Sequence, residues 1–433
     1  MSFGEFVRRT HRAGSLVVQP RMGFGRPEQM RAGLVATRNA DAVTVGTITL
    51  DSYTRVGDLE SAETALREGI GLNGYPIVTH HPEVTRLMLD GVSDVDYPVQ
   101  VRHGSARPQR IFGALAATGL HATEGGPVSY CLPYGRTPLE ESVRNWAECC
   151  ELLLRIRETG VEPHLETFGG CMMGQLCPPS QLVAISVLEA LFFYRHGVRD
   201  ISVSYAQQIN LAQDQEAIHA LRRLCTELLP GADWHVVVYG YMGLYPTTPE
   251  GSLALLARAA ELAVSTGSER LIVKTVAEAH RIPTVAENIE ALEHAARVAR
   301  GSSVASGVDP DGGQVYREAY AFVDAVLNGH EDIGRALLLA FRRGLLDVPY
   351  CLHPDNAGRS RSNIDAEGRL GWSTLGSMPL AGVAEAGQAP AVTAASLMRA
   401  LSFVQQEFDG PVLAAGSRGA VGDDRMTVKG ELR

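Results

Sequence analysis

The sequence has no run of 18 apolar residues, so no segment of it is expected to span a membrane as a helix. Its opening segment, MSFGEFVRRTHRAG, has basic residues but no apolar stretch behind them, so no secretory leader is expected. There is no Cys-x-x-Cys pair. The seven cysteines (Cys131, Cys149, Cys150, Cys171, Cys177, Cys225 and Cys351) are odd in number. Cys171 and Cys177 have no histidine near, which argues against zinc, and a reduced, cytoplasmic protein is expected. Positive charge is also short: 39 Lys and Arg against 49 Asp and Glu give a formal net charge of −10. A surface of that sign is a poor partner for nucleic acid, although a locally basic pocket could still take a small anion. No low-complexity tract occurs.

Apolar material is plentiful. Hydrophobic residues make up 45% and charged residues 20%, so a large core is available and disorder is excluded as a general state. At 433 residues the chain suits one (β/α)8 TIM barrel with an extension. Seven β-rich runs are clear, at residues 16–19, 42–49, 99–102, 164–168, 200–205, 234–239 and 271–274, with weaker runs at 76–79 and 120–124. The run at 76–79 is short and lies among Gly and Pro, so dropping it leaves eight strands. Helical segments alternate with them. Thr137-Pro138-Leu139-Glu140 predicts a capping box, Ser180 opens an apolar helix through Phe193, Thr248-Pro249-Glu250 opens another, and Pro283-Thr284 precedes a helix over 286–300. Such alternation argues an α/β fold with a covered parallel sheet, and eight units argue a closed barrel over residues 1–350. Residues 351–433 lose the alternation and read as an extension packed on the barrel, with one helix near 392–407.

Catalytic side chains of such a barrel come from the C-terminal ends of its strands. Arg21, Arg55, Arg102, Glu124 and Lys274 all fall at or just beyond predicted strand ends. Arginine grips carboxylates bidentately and keeps its charge. Three arginines suit two carboxylates and one glutamate suits an ammonium, which together describe an α-amino dicarboxylic acid. The plainer alternative is that each arginine makes a surface ion pair. Tyr130 and Tyr134 follow Glu124-Gly125-Gly126 and could donate hydroxyls or only pack; His103 and His121 read as structural. Lys274 could form a Schiff base or hydrogen-bond a ribose or phosphate, with Glu278 as a partner.

These segments resemble the large (epsilon) subunit of glutamate mutase, also called methylaspartate mutase. The resemblance is carried in order by Gln19-Pro20-Arg21-Met22-Gly23, Thr49-Leu50-Asp51-Ser52-Tyr53-Thr54-Arg55, Leu72-Asn73-Gly74-Tyr75-Pro76 and Gln100-Val101-Arg102-His103-Gly104. It continues through Glu124-Gly125-Gly126 with Ser129-Tyr130 and Pro133-Tyr134, Cys177-Pro178-Pro179-Ser180, Val273-Lys274-Thr275 with Glu278, Ile282-Pro283-Thr284 and Asp347-Val348-Pro349. It implies that Arg21, Arg55 and Arg102 form an arginine claw on the substrate carboxylates. Glu124 then meets the substrate amino group as the catalytic carboxylate, and Tyr130 and Tyr134 also contact substrate. Lys274 and Glu278 hold the adenosyl ribose, while Gly23, Thr49 and Asn73 line the cobalamin. The implied reaction interconverts L-glutamate and threo-3-methyl-L-aspartate by an adenosylcobalamin radical mechanism.

The cobalt-ligating motif Asp-x-His-x-x-Gly is absent. The nearest string, Asp233-Trp234-His235-Val236-Val237-Val238, lacks the glycine and reads as a buried strand. The resemblance therefore implies a separate small cobalamin-binding (sigma) subunit that shares the cofactor, with two copies of this chain in a heterotetramer. The sequence departs from that family at several points. The arm before the first strand is shorter, Pro127 breaks the glycine run after Glu124, and residues 237–243 have tyrosine where a histidine-containing stretch is expected. The tail beyond Asn356-Ala357-Gly358 matches poorly. Competing functions are a cobalamin mutase for a related amino diacid, a cobalamin-free lysine-dependent barrel lyase, and a scaffold subunit with a decayed site.

Overall fold

The computed structural model of the chain describes residues 2–133, 135–169, 176–304, 313–384, 386 and 393–421. Eight parallel strands form one sheet: β1 (Val17–Gln19), β2 (Gly46–Thr49), β3 (Val99–Arg102), β4 (Ala122–Glu124), β5 (His164–Glu166), β6 (Asp200–Ala206), β7 (Asp233–Tyr239) and β8 (Arg270–Ile272). The sheet order is β1-β8-β7-β6-β5-β4-β3-β2. The remaining seam closes through backbone bonds. Val18 N–H donates to Val43 O at 2.9 Å, and Thr49 N–H donates to Met22 O at 2.8 Å. The result is a TIM barrel. Its strands coincide with eight of the nine runs in the sequence, and 76–79 is not a strand.

The helices of the barrel are α1 (Phe3–Arg12), α2 (Pro27–Arg38), α3 (Ser52–Val56), α4 (Leu59–Glu68), α5 (Pro82–Leu89) and α6 (Gln109–Thr118). They continue as α7 (Leu139–Leu154), α8 (Pro179–Arg195), α9 (Leu211–Leu228), α10 (Pro249–Ser265), α11 (Val285–Gly301), α12 (Gly313–Leu327) and α13 (Ile333–Arg343). Thr248 caps α10, and Thr284 with Glu287 makes a full capping box on α11. The box expected at Thr137 is not formed. Pro138 stands at the cap without a side-chain bond, and Asp355 Oδ2 accepts from Leu139 N–H at 2.8 Å. A carboxylate 216 residues away thus satisfies the orphan donor that a local hydroxyl was expected to meet.

Helix α1 plugs the bottom of the barrel. Phe3, Phe6 and Val7 pack with Val17, Val45 and Ala122, and Arg8 pairs with Asp200 at 2.7 Å. Beyond the barrel lie an antiparallel hairpin of β9 (Arg361–Ile364) and β10 (Leu370–Thr374), then α14 (Ala394–Leu401) and α15 (Phe403–Val421). The sequence pattern anticipated one helix there and no hairpin. Val404 packs with Tyr241, Tyr245 and Leu255, and Asp409 accepts bonds from both Thr247 and Thr248 at the start of α10. No helix among the described residues is long and apolar enough to cross a membrane.

Candidate functional site

At the C-terminal mouth, β3 ends on Arg102 and β4 ends on Glu124, and their side chains meet. Arg102 Nε lies 2.8 Å from Glu124 Oε2, with both groups buried. Arg102 Nη1 is also buried and has no hydrogen-bond partner among the described residues. A buried donor left unmet costs about 1–3 kcal/mol, so this nitrogen favours the arrival of an acceptor. The guanidinium sits 5.0 Å from the centre of the Tyr239 ring and 6.0 Å from that of Phe168. Burial opposes its charge, but Glu124 and the neighbouring acidic groups outweigh that and raise its pKa further.

Glu124 accepts from the Tyr130 hydroxyl on Oε1 and from Tyr239 on Oε2 at 3.2 Å. Tyr130 is carried by a loop that α8 anchors. Glu189 Oε1 accepts from Val128 N–H at 2.9 Å and Ser129 N–H at 2.8 Å, and Oε2 accepts from the Ser129 hydroxyl at 2.8 Å. A Cβ on Gly126 would lie 2.2 Å from that carboxylate, which is why glycine stands there. Burial pushes Glu189 up to about 7 despite the bonds it accepts. His103 packs against Tyr130 and Trp146 at 5.0 and 6.0 Å between ring centres; burial, with Arg55 nearby, lowers its pKa to about 3 and keeps it neutral.

Arg55 lies on α3 rather than in a loop. Its Nε donates to Leu50 O at 2.8 Å, and its Cδ would be 3.8 Å from a Cβ on Gly104. Asn73 accepts from Ser52 N–H at 2.9 Å, satisfying a donor at the start of that helix. Gly23 permits the seam between β1 and β2, because a Cβ there would meet the Thr49 carbonyl oxygen at 2.1 Å. Thr49 Oγ1 is buried without a partner among the described residues. Tyr134 lies outside the described residues.

Arg21 and Lys274 converge on one carboxylate. Arg21 Nη1 and Lys274 Nζ each stand 2.9 Å from Glu278 Oε1. Burial pushes Glu278 up, but the two cations outweigh it and hold the carboxyl at about 2. Lys274 is two residues past the end of β8 and lies over the Tyr245 ring at 5.2 Å.

The sequence pattern did not point to a second charged layer beneath Glu124. Arg270 and Glu166 form a fully buried ion pair inside the barrel, and Tyr239 donates to Glu166 Oε1. Ser202 donates to Glu166 Oε2 at 2.8 Å and Gln100 at 3.1 Å, while Gln19 links Gln100 to Thr47. Glu166 and Tyr239 are themselves strand-end residues, so the rule that found Glu124 could have found them. Glu189 had its own signal, as the only charged residue between Pro179 and Tyr194 in an otherwise apolar helix.

Adenosylcobalamin, implied by the resemblance, can be tested against these residues. Apolar side chains stand exposed beyond three strand ends: Val56 after β2, Leu244 after β7 and Ile282 after β8. A cavity of about 860 Å³ beside the mouth is lined by Leu132, Leu176, Met242, Leu244, Tyr350 and Met398, among others. The partly exposed Lys274–Glu278–Arg21 cluster and the orphaned Thr49 hydroxyl add polar contacts. An apolar rim beside a small polar cluster fits a broad macrocycle with a nucleoside arm. His235 does not fit as a metal ligand, being wholly buried in β7 near Arg270.

Comparison with known proteins agrees in extent. The family described as Methylaspartate mutase E chain (MutE) matches residues 1–399. The chain is similar to the glutamate mutase epsilon subunit of Yersinia enterocolitica, at 31% identity over 85% of this chain and 79% of that one. It is similar to the protein of the same name from Escherichia coli O157:H7, at 30% identity over 87% and 81%. The counterpart from Halobacterium salinarum is 31% identical over 85% and 79%.

Proposed function

The chain belongs to the methylaspartate mutase E chain family and is a mutase catalytic subunit, and from that premise we propose that it interconverts L-glutamate and threo-3-methyl-L-aspartate with adenosylcobalamin. The observation that carries the substrate is the buried Arg102–Glu124 pair with Arg102 Nη1 unmet. A zwitterionic amino acid can enter that pair by exchange: its α-carboxylate takes Arg102, and its ammonium takes Glu124. No buried charge is left alone, which matters because an uncompensated one costs several kcal/mol. The second carboxylate of a diacid then needs another cation. Arg55, whose stem lies beside Gly104, and Arg21 across the β1–β2 seam are the arginines in reach by topology.

When bound, adenosylcobalamin supplies the radical that takes a hydrogen from substrate and returns it. This chain's residues do the rest. Arg102, Arg55 and Arg21 hold the carboxylates so that a glycyl fragment migrates between fixed ends. Glu124 orients the migrating ammonium with Tyr130, and the enclosed mouth excludes water. Lys274 and Glu278 would hold the ribose, with Gly23, Thr49 and Asn73 beside the macrocycle. The Lys274–Glu278 pair at 2.9 Å suits a hydrogen-bonding role toward a ribose.

The cobalt ligand is proposed to come from another chain, since the sequence holds no Asp-x-His-x-x-Gly motif and His235, in the nearest string, is sealed inside the barrel. A small cobalamin-binding sigma subunit is the partner that supplies it, docking over the mouth with two copies of this chain in a heterotetramer. The test is an activity assay and a cobalamin titration of the purified chain, with and without such a subunit. Turnover of L-glutamate only when both are present is expected. Full turnover by the chain alone would overturn the shared-cofactor proposal.

A further inference from the structure

Tyr239 ends β7 and touches both groups of the buried pair. Its ring lies 5.0 Å beneath the Arg102 guanidinium, and its hydroxyl reaches Glu124 Oε2 at 3.2 Å. The same hydroxyl also lies against Glu166, which Arg270, Ser202 and Gln100 lock from the barrel interior, so its one hydrogen bridges the two carboxylates and serves one at a time. The strands that carry these groups are parallel and in register. Ala206 pairs with Tyr239 across β6 and β7, and Glu124 pairs with Glu166 across β4 and β5. The floor of the site is therefore one connected unit running Arg270–Glu166–Tyr239–Glu124–Arg102.

We propose that Tyr239 is a positioning residue with two separable tasks. Its ring is the shelf that aims Arg102 at the substrate carboxylate, and its hydroxyl, steadied by the Glu166–Arg270 pair, aims Glu124 at the ammonium. This inference rests on the amino-diacid reading of the site. It makes Tyr239 a determinant of preference for an amino diacid over a plain diacid, because only the hydroxyl task concerns the ammonium. A cation held over an aromatic face and a carboxylate fixed by a neutral donor are each worth a measurable factor in affinity.

The two tasks separate by substitution. Tyr239→Phe keeps the shelf and removes the hydroxyl; Tyr239→Leu removes both. The holoenzyme of each, assembled with the small subunit and adenosylcobalamin, is assayed for kcat and KM with L-glutamate. Glutarate, which has two carboxylates and no amino group, serves as a competitive inhibitor. For Tyr239→Phe, KM for glutamate is expected to rise about tenfold and kcat to fall, with glutarate inhibition unchanged within about twofold. Tyr239→Leu should weaken both ligands about tenfold.

A general loss of structure would weaken glutamate and glutarate equally in Tyr239→Phe, and that result overturns the inference. So does a Tyr239→Phe enzyme with unchanged preference when the wild type prefers glutamate. A wild-type enzyme that neither turns over glutamate nor prefers it to glutarate overturns the amino-diacid reading, and this inference with it.

Discussion

The two sides of the barrel mouth hold ion pairs of opposite character. On the β3–β4 side, Arg102 and Glu124 are buried, with aromatic rings below and a second buried pair beneath those. On the β8–β1 side, Arg21 and Glu278 keep 34% and 25% of their side-chain surface exposed, and of the three charged groups there only Lys274, at 4%, is buried. A buried pair is costly to break at one end and has one well-defined geometry. An exposed pair is weak and can trade partners with water at little cost. The deep side is thus built to fix a small polar ligand. The shallow side is built to rearrange around something large that arrives from solvent, as a cofactor carried by a partner chain would.

The deep side should show the largest losses. Arg102→Lys keeps the charge but loses the fork, and each charge-assisted bond is worth about 1.5–3 kcal/mol. Steady-state kinetics of the holoenzyme should show kcat/KM for glutamate falling by about a hundredfold or more, with Arg55→Lys also impaired. Near-normal kinetics in both variants would break the contrast between the two sides.

Gly23→Ala should damage both sides at once. The added Cβ collides with the Thr49 carbonyl at the seam, 2.1 Å away, where only backbone can yield. A destabilisation of roughly 1–3 kcal/mol is expected, visible as a lowered melting temperature together with reduced turnover. An unchanged melt would show that the seam is not under constraint.

Glu278→Gln should act on the shallow side alone. Stability should fall by about 1–3 kcal/mol, because the buried Lys274 ammonium loses its carboxylate. The apparent affinity for adenosylcobalamin, titrated with the small subunit present, should weaken about tenfold, with a smaller change in KM for glutamate, because Arg21 of the claw loses its partner. Arg21 and Lys274 hold Glu278 at about 2, below the ordinary carboxylate range. Its contribution is therefore complete above that range and fades only as pH falls toward 2. Loss of glutamate affinity with cofactor affinity intact would reverse the assignment of the two sides.

The smallest effect concerns Glu189 under the Tyr130 loop. Its carboxyl is pushed by burial from an ordinary value of 4.5 up to about 7. The folded chain therefore holds a proton that the unfolded chain has released, and stability falls as pH rises from about 4.5 to about 7. Melting temperatures across that window should flatten in Glu189→Gln, while Asp214, also raised to about 7, preserves part of the slope. An unaltered slope would remove Glu189 from this account.

Much of this architecture is readable in the residues, and the gaps have physical causes. All eight strands follow from short apolar runs because parallel strands covered on both faces are nearly continuous in hydrophobicity. Arg102 and Glu124 were reachable because a charge at a strand end stands out against such runs. Arg270 opens its strand beside a charged neighbour, Glu269, and nothing in the local pattern distinguishes the buried charge from the more exposed one. Its partner Glu166 comes from β5, so the pair exists only once the barrel closes. Thr137 failed as a cap for the same reason, since Asp355 arrives from the tail. The tail hairpin was missed because β9 is mostly polar, with Arg361, Ser362 and Asn363, and the two strands pair only with each other.

The account turns on Glu124 as the group that directs the ammonium within the buried pair. The most direct measurement is kcat and KM of the Glu124→Gln holoenzyme with L-glutamate. The arginines would still bind both carboxylates, so KM should rise by about tenfold, as in Tyr239→Phe. The ammonium would lose its charged partner as the fragment migrates, so kcat should fall by about tenfold or more. An enzyme altered only in KM would contradict the account.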